Sequence, residues 1–175
     1  WEKTPANFSD KGVQAFFSDR EGNLWLGTNT FGLSRLKQNF IESFDESHGV
    51  SNSQTAAVLE DSKGNLWIAG FGLHKLENNR FIAEKRIPQS FLISLAEKRD
   101  GTLLTGGYNV LFARQPDGSI NELSGEIKRA LGTATFAVKA IFEDSRGNLW
   151  LGFRENGLLR RDVNGNYTHF TTENG

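Results

Sequence analysis

The chain has 175 residues, a mass of 19.5 kDa and a formal charge of −1, from 20 Lys and Arg against 21 Asp and Glu. This balance argues against nucleic-acid binding driven by counterion release, and the absence of Cys excludes disulfides, thiolate metal sites and catalytic thiols. No apolar run approaches the roughly 20 residues of a membrane helix, so we expect no direct membrane insertion. The absence of Met indicates a piece processed or excised from a longer protein.

Four repeats follow one another along the chain. The tetrapeptide GNLW begins at Gly22, Gly64 and Gly147, and the related GTLL begins at Gly101. The intervals of 42, 37 and 46 residues bracket the length of a four-stranded propeller blade, about 40 to 45 residues. We therefore predict an all-β fold: a β-propeller of four consecutive four-stranded antiparallel blades within one partial propeller over residues 1–175. The expected blades are residues 13–44, 54–84, 91–123 and 136–171.

Each repeat is predicted to contain two hairpins. In the first repeat, Val13–Phe17 and Asn23–Thr28 flank the turn Asp19–Gly22, whose last residue can adopt positive φ without steric cost. Gly32–Lys37 and Phe40–Phe44 form the outer hairpin. The second repeat follows the same order, beginning near Gln54.

The third repeat departs from this pattern and the fourth restores it. Leu104 stands where the other repeats have Trp, and Asn109 stands where they open the third strand with Gly. Residues Asn121–Leu131 could form one or two helical turns, but Gly125 weakens a helix, so we predict a loop insertion. In the fourth repeat, Asn164-Gly165 is predicted to form the outer hairpin turn.

The strands that carry the repeat signature are apolar on both faces. Consecutive apolar residues surround Trp25, Trp67 and Trp150, whereas a strand with one wet face would alternate. Inner strands of propeller blades are covered on both sides by neighbouring blades. We therefore interpret these tryptophans as packing anchors between blades rather than ligand contacts.

The segments VLEDSKGNLWIAGFGLHKL at 58–76 and IFEDSRGNLWLGFRENGLLRR at 141–161 resemble the repeat of the two-component regulator propeller family. The resemblance covers essentially the whole chain and is weakest in the third repeat. It implies a sensor propeller of a hybrid histidine kinase or related receptor, in the periplasm or outside the cell. Because that family usually builds rings of about seven blades, the resemblance also implies that four repeats are a fragment of a larger ring.

Catalytic and metal chemistry find little support in the residues. The acidic turns at 60–65 and 143–148 lack the ligand spacing of a calcium loop, and the three His, at 48, 74 and 169, lie in different repeats without ligand spacing. We therefore predict no enzyme activity, metal or cofactor. Two alternatives stay open: a protein-interaction propeller, and an enzyme similar to streptogramin lyases, which use a metal-assisted His and Glu site.

Loops on one face of the predicted propeller are the candidate binding surface, because recognition residues concentrate on loops held by a rigid scaffold. Their aromatic and amide side chains suit a glycan, another small molecule or a peptide. A second copy of the chain, or the remainder of the ring, is expected to cover the open terminal blades. The candidate ligand-binding residues are Asn29, Phe31, Ser51, Asn52, Gln54, Phe71, Tyr108, Arg154, Glu155 and Asn156.

Overall fold

The computed structural model describes residues 12–30, 32–37, 40–51 and 54–173. Sixteen strands in this part of the chain form four antiparallel sheets, and each sheet holds four strands in chain order from one edge to the other. The prediction of an all-β fold with four four-stranded sheets is confirmed. Contacts group the chain into two compact units, Trp1–Gln89 and Ser90–Gly175.

The first unit contains blades 1 and 2. A short 3₁₀ turn, Glu46–His48, follows blade 1, and the carboxylate of Asp45 caps it by accepting a hydrogen bond from the Ser47 amide. The strands of blade 1 are β1 (Val13–Ser18), β2 (Leu24–Thr28), β3 (Leu33–Lys37) and β4 (Phe40–Phe44); those of blade 2 are β5 (Thr55–Glu60), β6 (Leu66–Gly70), β7 (Gly72–Glu77) and β8 (Arg80–Ala83).

The second unit contains blades 3 and 4 and one α-helix, α1 (Ser124–Leu131). Within the described residues, no helix is both long and apolar enough to cross a membrane. The strands of blade 3 are β9 (Leu92–Glu97), β10 (Leu103–Gly107), β11 (Leu111–Arg114) and β12 (Ile120–Glu122); those of blade 4 are β13 (Val138–Glu143), β14 (Leu149–Phe153), β15 (Leu158–Arg161) and β16 (Tyr167–Phe170).

Each unit has an apolar core between its two sheets. In the first unit, Trp25, Leu33 and Phe44 of blade 1 pack with Ile68 and Phe81 of blade 2. The rings of Phe44 and Phe81 meet edge to face at 5.7 Å. In the second unit, the core cluster joins blade 3 to blade 4 and includes Leu104, Leu111, Ala113, Leu149, Leu151 and Leu159.

The segment Asn121–Leu131 was predicted to be a loop insertion with at most one or two helical turns, and the structure corrects this, because the segment contains the end of β12 and the eight-residue helix α1. Ile127 is 1% exposed and belongs to the core cluster of the second unit. The helix ends at Gly132, which adopts a left-handed conformation and donates its N–H to the Arg129 carbonyl. Burial of one apolar side therefore outweighs the cost of Gly125 in so short a helix.

The outer hairpin of blade 4 also differs in detail from the prediction. The Gly165 N–H donates to the Asp162 carbonyl at 3.0 Å, and the Asp162 N–H donates to the Asn166 carbonyl at 2.9 Å. The loop therefore spans three residues, 163–165, rather than the two-residue turn predicted for Asn164-Gly165. Gly165 adopts positive φ, as a three-residue hairpin loop requires.

Candidate functional site

The loops predicted to bind a ligand lie at one end of each sheet. In blade 4, Val138 pairs with Phe153 and Leu158 pairs with Phe170, so the start of β13, the loop between β14 and β15, and the end of β16 share that end. Blade 1 has the same register, with Val13 opposite Thr28. Loop residues from successive blades of one unit can therefore meet at this end.

Three side chains meet at this end of the second unit. The rings of Tyr108 and Phe91 stack with centroids 6.4 Å apart and planes 18° apart. Arg154 donates from Nη1 to the Tyr108 hydroxyl at 3.4 Å, and its Nε lies 3.7 Å from Oε1 of Glu155. Tyr108 is 47% exposed, so one aromatic surface and one guanidinium face solvent side by side. We call Phe91, Tyr108 and Arg154 the aromatic–arginine cluster.

Bonds to Phe136 and Ala137, the two residues just before β13, hold the aromatic–arginine cluster in place. Tyr108 forms an isolated antiparallel bridge with Ala137, and the Arg154 N–H donates to the Ala137 carbonyl at 3.0 Å. Asn109 accepts the Phe136 N–H on its side-chain oxygen at 2.8 Å and adopts φ of 59°. Asn is among the side chains that best tolerate this conformation, so the degraded third repeat keeps the geometry that Gly provides elsewhere.

The remaining candidates of the second unit belong to the same loop. Glu155 is exposed, with 83% of its side chain accessible. The Asn156 carbonyl accepts a hydrogen bond at 2.7 Å from His169 Nε2, which therefore carries the proton. This bond ties the loop to the outer strand β16, so the loop is anchored at both sides of Arg154.

The first unit places its candidates differently. Ser51 Oγ lies 2.9 Å from Nε2 of His74, a side chain that is only 3% exposed. Burial lowers the pKa of His74, although a hydrogen bond to the Gly72 backbone opposes the shift. Asn29 and Gln54 are exposed and Phe71 is half-buried. The predicted residues Phe31 and Asn52 lie outside the described residues.

Phe91 and His74 take part in these contacts although the sequence analysis did not select them. Phe91 was noted only as the start of the third repeat, and its position just before β9 places it beside the loop that carries Tyr108. One sequence signal could have identified Phe91: an aromatic residue at the first position of a blade whose β10–β11 loop also carries an aromatic residue.

The acidic turns are structural. In blade 2, Asp61 accepts hydrogen bonds from the Asn65 backbone N–H at 2.8 Å, from the Asn65 side-chain amide, and from Trp67 Nε1 at 2.8 Å. Asp19 and Asp144 accept from Asn23 and Trp25 and from Asn148 and Trp150 in the same way. We call this arrangement the Asp–Asn–Trp motif. It commits both carboxylate oxygens of each Asp to donors of its own hairpin.

The family model described as two component regulator propeller matches residues 7–30, 49–72 and 134–155. These three segments are similar to the two-component regulator propeller repeat. The three matched repeats begin blades 1, 2 and 4, and each contains an Asp–Asn–Trp motif. Blade 3, in which Lys98 and Leu104 replace the Asp and the Trp, lies outside the matched segments.

Solved structures confirm the β-propeller fold of these repeats. One of these structures is described as the extracellular domain of a putative one-component system from B. thetaiotaomicron. It superposes on 98% of the chain with a TM-score of 0.75 and 21% sequence identity. A hybrid two-component system domain from the same organism gives 0.73 over 93% at 18% identity. Virginiamycin B lyase from Staphylococcus aureus gives 0.71 over 97% at 15% identity.

The chain spans about a quarter of the two B. thetaiotaomicron domains, 24% and 22%, and 59% of the lyase. These lengths are consistent with a fragment of a larger propeller. No curated protein matches the chain.

Proposed function

We propose that these repeats belong to an extracytoplasmic sensor propeller of a two-component signalling receptor, and that they bind a small molecule or glycan without transforming it. The repeat family and the fold shared with extracellular domains of signalling systems support the sensor role. The observation that carries the binding role is the aromatic–arginine cluster, in which Tyr108 and Arg154 present a ring and a guanidinium to solvent.

The chemistry of the aromatic–arginine cluster favours a sugar ring or another flat, hydroxyl-bearing molecule. The apolar face of a sugar can pack on the Tyr108 ring, which Phe91 supports from its other side by stacking. Arg154 has several N–H donors in a fixed plane and can donate to ligand hydroxyl or carboxylate oxygens next to the ring. Glu155 adds an acceptor beside these donors.

The contacts of the three histidines favour ligand binding without catalysis over a lyase-like reaction. His48 Nδ1 lies 3.0 Å from Asp45, His74 Nε2 bonds to Ser51, and His169 Nε2 bonds to the Asn156 carbonyl. Each ring is thus tied to a group of its own unit. The lyase alternative requires a His and a Glu that converge on a metal. Conversion of a bound compound to product over time would support that alternative.

A thermal-shift screen tests the proposal, with neutral oligosaccharides, uronic-acid oligosaccharides and short peptides as probes. A ligand at 100 times its dissociation constant stabilises the folded state by about 2.7 kcal/mol, which a thermal shift detects. For a probe that binds, we expect Tyr108→Ala to weaken affinity at least about tenfold, since it removes stacking worth about 1.4 kcal/mol.

Phe142→Ala is the matched control, because Phe142 is an exposed aromatic residue of the same unit that lies on a sheet face instead of the loop end. It should leave probe affinity unchanged. If Phe142→Ala weakened binding as much as Tyr108→Ala, or if the bound probe were converted to product, the proposed function would be wrong.

A further inference from the structure

The guanidinium of Arg154 lies at the hydroxyl edge of the Tyr108 ring. Its Nη1 is 3.4 Å from the Tyr108 hydroxyl oxygen. The Phe91 ring covers one face of the Tyr108 ring by stacking, so a ligand ring can pack on the other face. A ring that packs there has one edge beside Arg154, and a polar group on that edge meets the guanidinium directly.

The side-chain contacts of Arg154 leave most of its guanidinium for a ligand. Oε1 of Glu155 lies 3.7 Å from Nε, which is longer than a hydrogen bond, and the contact of Nη1 with Tyr108 is also long. Glu155 approaches the Nε side of the guanidinium, so the edge formed by Nη1 and Nη2 stays available beside Tyr108. Two parallel N–H groups on such an edge match the two oxygens of a carboxylate.

The backbone that carries Arg154 is held in position. The Arg154 N–H donates to the Ala137 carbonyl at 3.0 Å, and the Asn156 carbonyl accepts from His169 at 2.7 Å. A donor on a fixed backbone loses less conformational freedom when a ligand binds, so less of the binding free energy is spent on ordering the loop. The site therefore combines a positioned cation with a supported aromatic ring.

Positive charge distinguishes blade 4 from the other blades at the loop end. Its β14–β15 loop carries Arg154 and Glu155, whereas the corresponding loops of the other blades, residues 29–32, 71 and 108–110, contain no charged residue. Lys139 is exposed, is the extra residue of the β-bulge at the start of β13, and follows Ala137 by two positions. The residues at the equivalent bulge positions are Gln14, Ala56 and Ile93.

We propose that the aromatic–arginine cluster selects a ring that carries a carboxylate. This inference rests on the proposed function and adds the charge of the ligand to it. The ring packs on Tyr108, and the carboxylate accepts hydrogen bonds from Nη1 and Nη2 of Arg154. A neutral hydroxyl group in the same place would lack both the charge and the second oxygen. A uronic sugar and an aromatic acid are two sources of this chemistry.

NMR titration of the isotope-labelled chain with matched pairs of compounds tests the inference. Glucuronate and glucose differ only in the carboxylate, and so do benzoate and benzyl alcohol. In at least one pair, the acid should bind about fivefold tighter or more, because it gains a bidentate ion pair at a partly exposed site. This ratio of affinities should fall as salt is added. The pair with the larger ratio identifies the source of the ring.

Charge variants assign the preference to Arg154. Arg154→Gln should abolish the preference for the acid, and Glu155→Gln should increase it, because the second variant removes a negative charge beside the guanidinium. Arg146→Gln is the matched control: Arg146 is an exposed residue of the β13–β14 turn, at the opposite end of the same hairpin, and its replacement removes the same charge. It should keep the wild-type ratio. Far-UV circular dichroism verifies that every variant is folded.

Three results would overturn the inference. The first is equal affinity for the acid and its neutral partner in both pairs. The second is a loss of the preference in Arg146→Gln as large as in Arg154→Gln. The third is a titration in which neither acid shifts any resonance of the chain. The proposed function fails separately: if neutral probes bind and Tyr108→Ala weakens them, it stands even when the preference for a carboxylate does not.

Discussion

The substitution Asp61→Ala tests the structural role of the Asp–Asn–Trp motif. Asp61 is 6% exposed, and its carboxylate accepts hydrogen bonds from the buried Trp67 indole and from the backbone and side chain of Asn65. Removing it leaves the indole N–H and the Asn65 amide without their acceptor. Hydrogen bonds to a charged group contribute about 1.5 to 3 kcal/mol each, so loss of these two donors' acceptor should lower the free energy of unfolding by about 3 to 6 kcal/mol.

Urea unfolding monitored by circular dichroism measures this loss. Asp162→Ala is the matched variant, because Asp162 makes the same bonds to Asn166 but has no Trp partner. It should destabilise the chain less than Asp61→Ala does. Equal losses for the two variants would refute the assignment of Trp67 and burial as the source of the difference.

The same motif predicts an acid dependence. Burial alone would raise the pKa of Asp61, but the hydrogen bonds from Trp67 and Asn65 outweigh it and hold the pKa below the usual value. The stabilisation is therefore fully present above the unfolded carboxyl pKa of about 3.9 and is lost as the pH falls through the lower folded value. The Asp61→Ala variant should lack this part of the acid-induced loss.

Two further predictions concern His74 and Gly157. Because burial lowers the pKa of His74, the contribution of His74 to the free energy of unfolding should decline as the pH falls below the unfolded pKa of about 6.5. Urea unfolding from about pH 7.5 to about pH 5 should show a weaker decline in stability for His74→Gln than for the wild type. The same pH dependence in both proteins would contradict this. Gly157 has φ of +66°, and an added Cβ would lie 2.2 Å from the Phe170 carbonyl oxygen. Gly132 has nearly the same φ, +65°, but an added Cβ there would have no atom within 4 Å. Gly157→Ala should therefore lower the melting temperature more than Gly132→Ala does. Equal shifts in the two melting temperatures would show that the contact with Phe170 has no cost.

The repeat spacing and the apolar strands were sufficient to predict the four blades. Hairpin turns require particular residues at fixed positions, and burial on both faces requires consecutive apolar residues, so both can be recognised within a short segment. The turns around Gly22 and Gly64 end in a residue with positive φ, which a Gly three residues before Trp already indicates. Degradation of the third repeat was equally visible, and Asn109 shows that a second residue type can fill the left-handed position.

Contacts between blades could not be predicted from the same patterns. Phe91, Tyr108 and Arg154 are separated by 17 and 46 residues, and their meeting depends on how two sheets pack and twist. The helix α1 was not predicted because a short segment containing Gly125 has weak intrinsic helix propensity, and burial of Ile127 in the core of the second unit stabilises it. Whether the aromatic–arginine cluster binds a ligand stays a prediction.

The Asp–Asn–Trp motif has a consequence for how the chain folds. Its three residues lie within seven positions, so the first hairpin of a blade gains side-chain hydrogen bonds by closing only a very short loop. Hairpins form in about 1 to 10 μs, much faster than long-range contacts such as Arg20 with Glu60, which are 40 residues apart. The first hairpins of blades 1, 2 and 4 should therefore form independently of one another. Blade 3 lacks the motif and should fold last, by packing on blade 4 after blade 4 has formed.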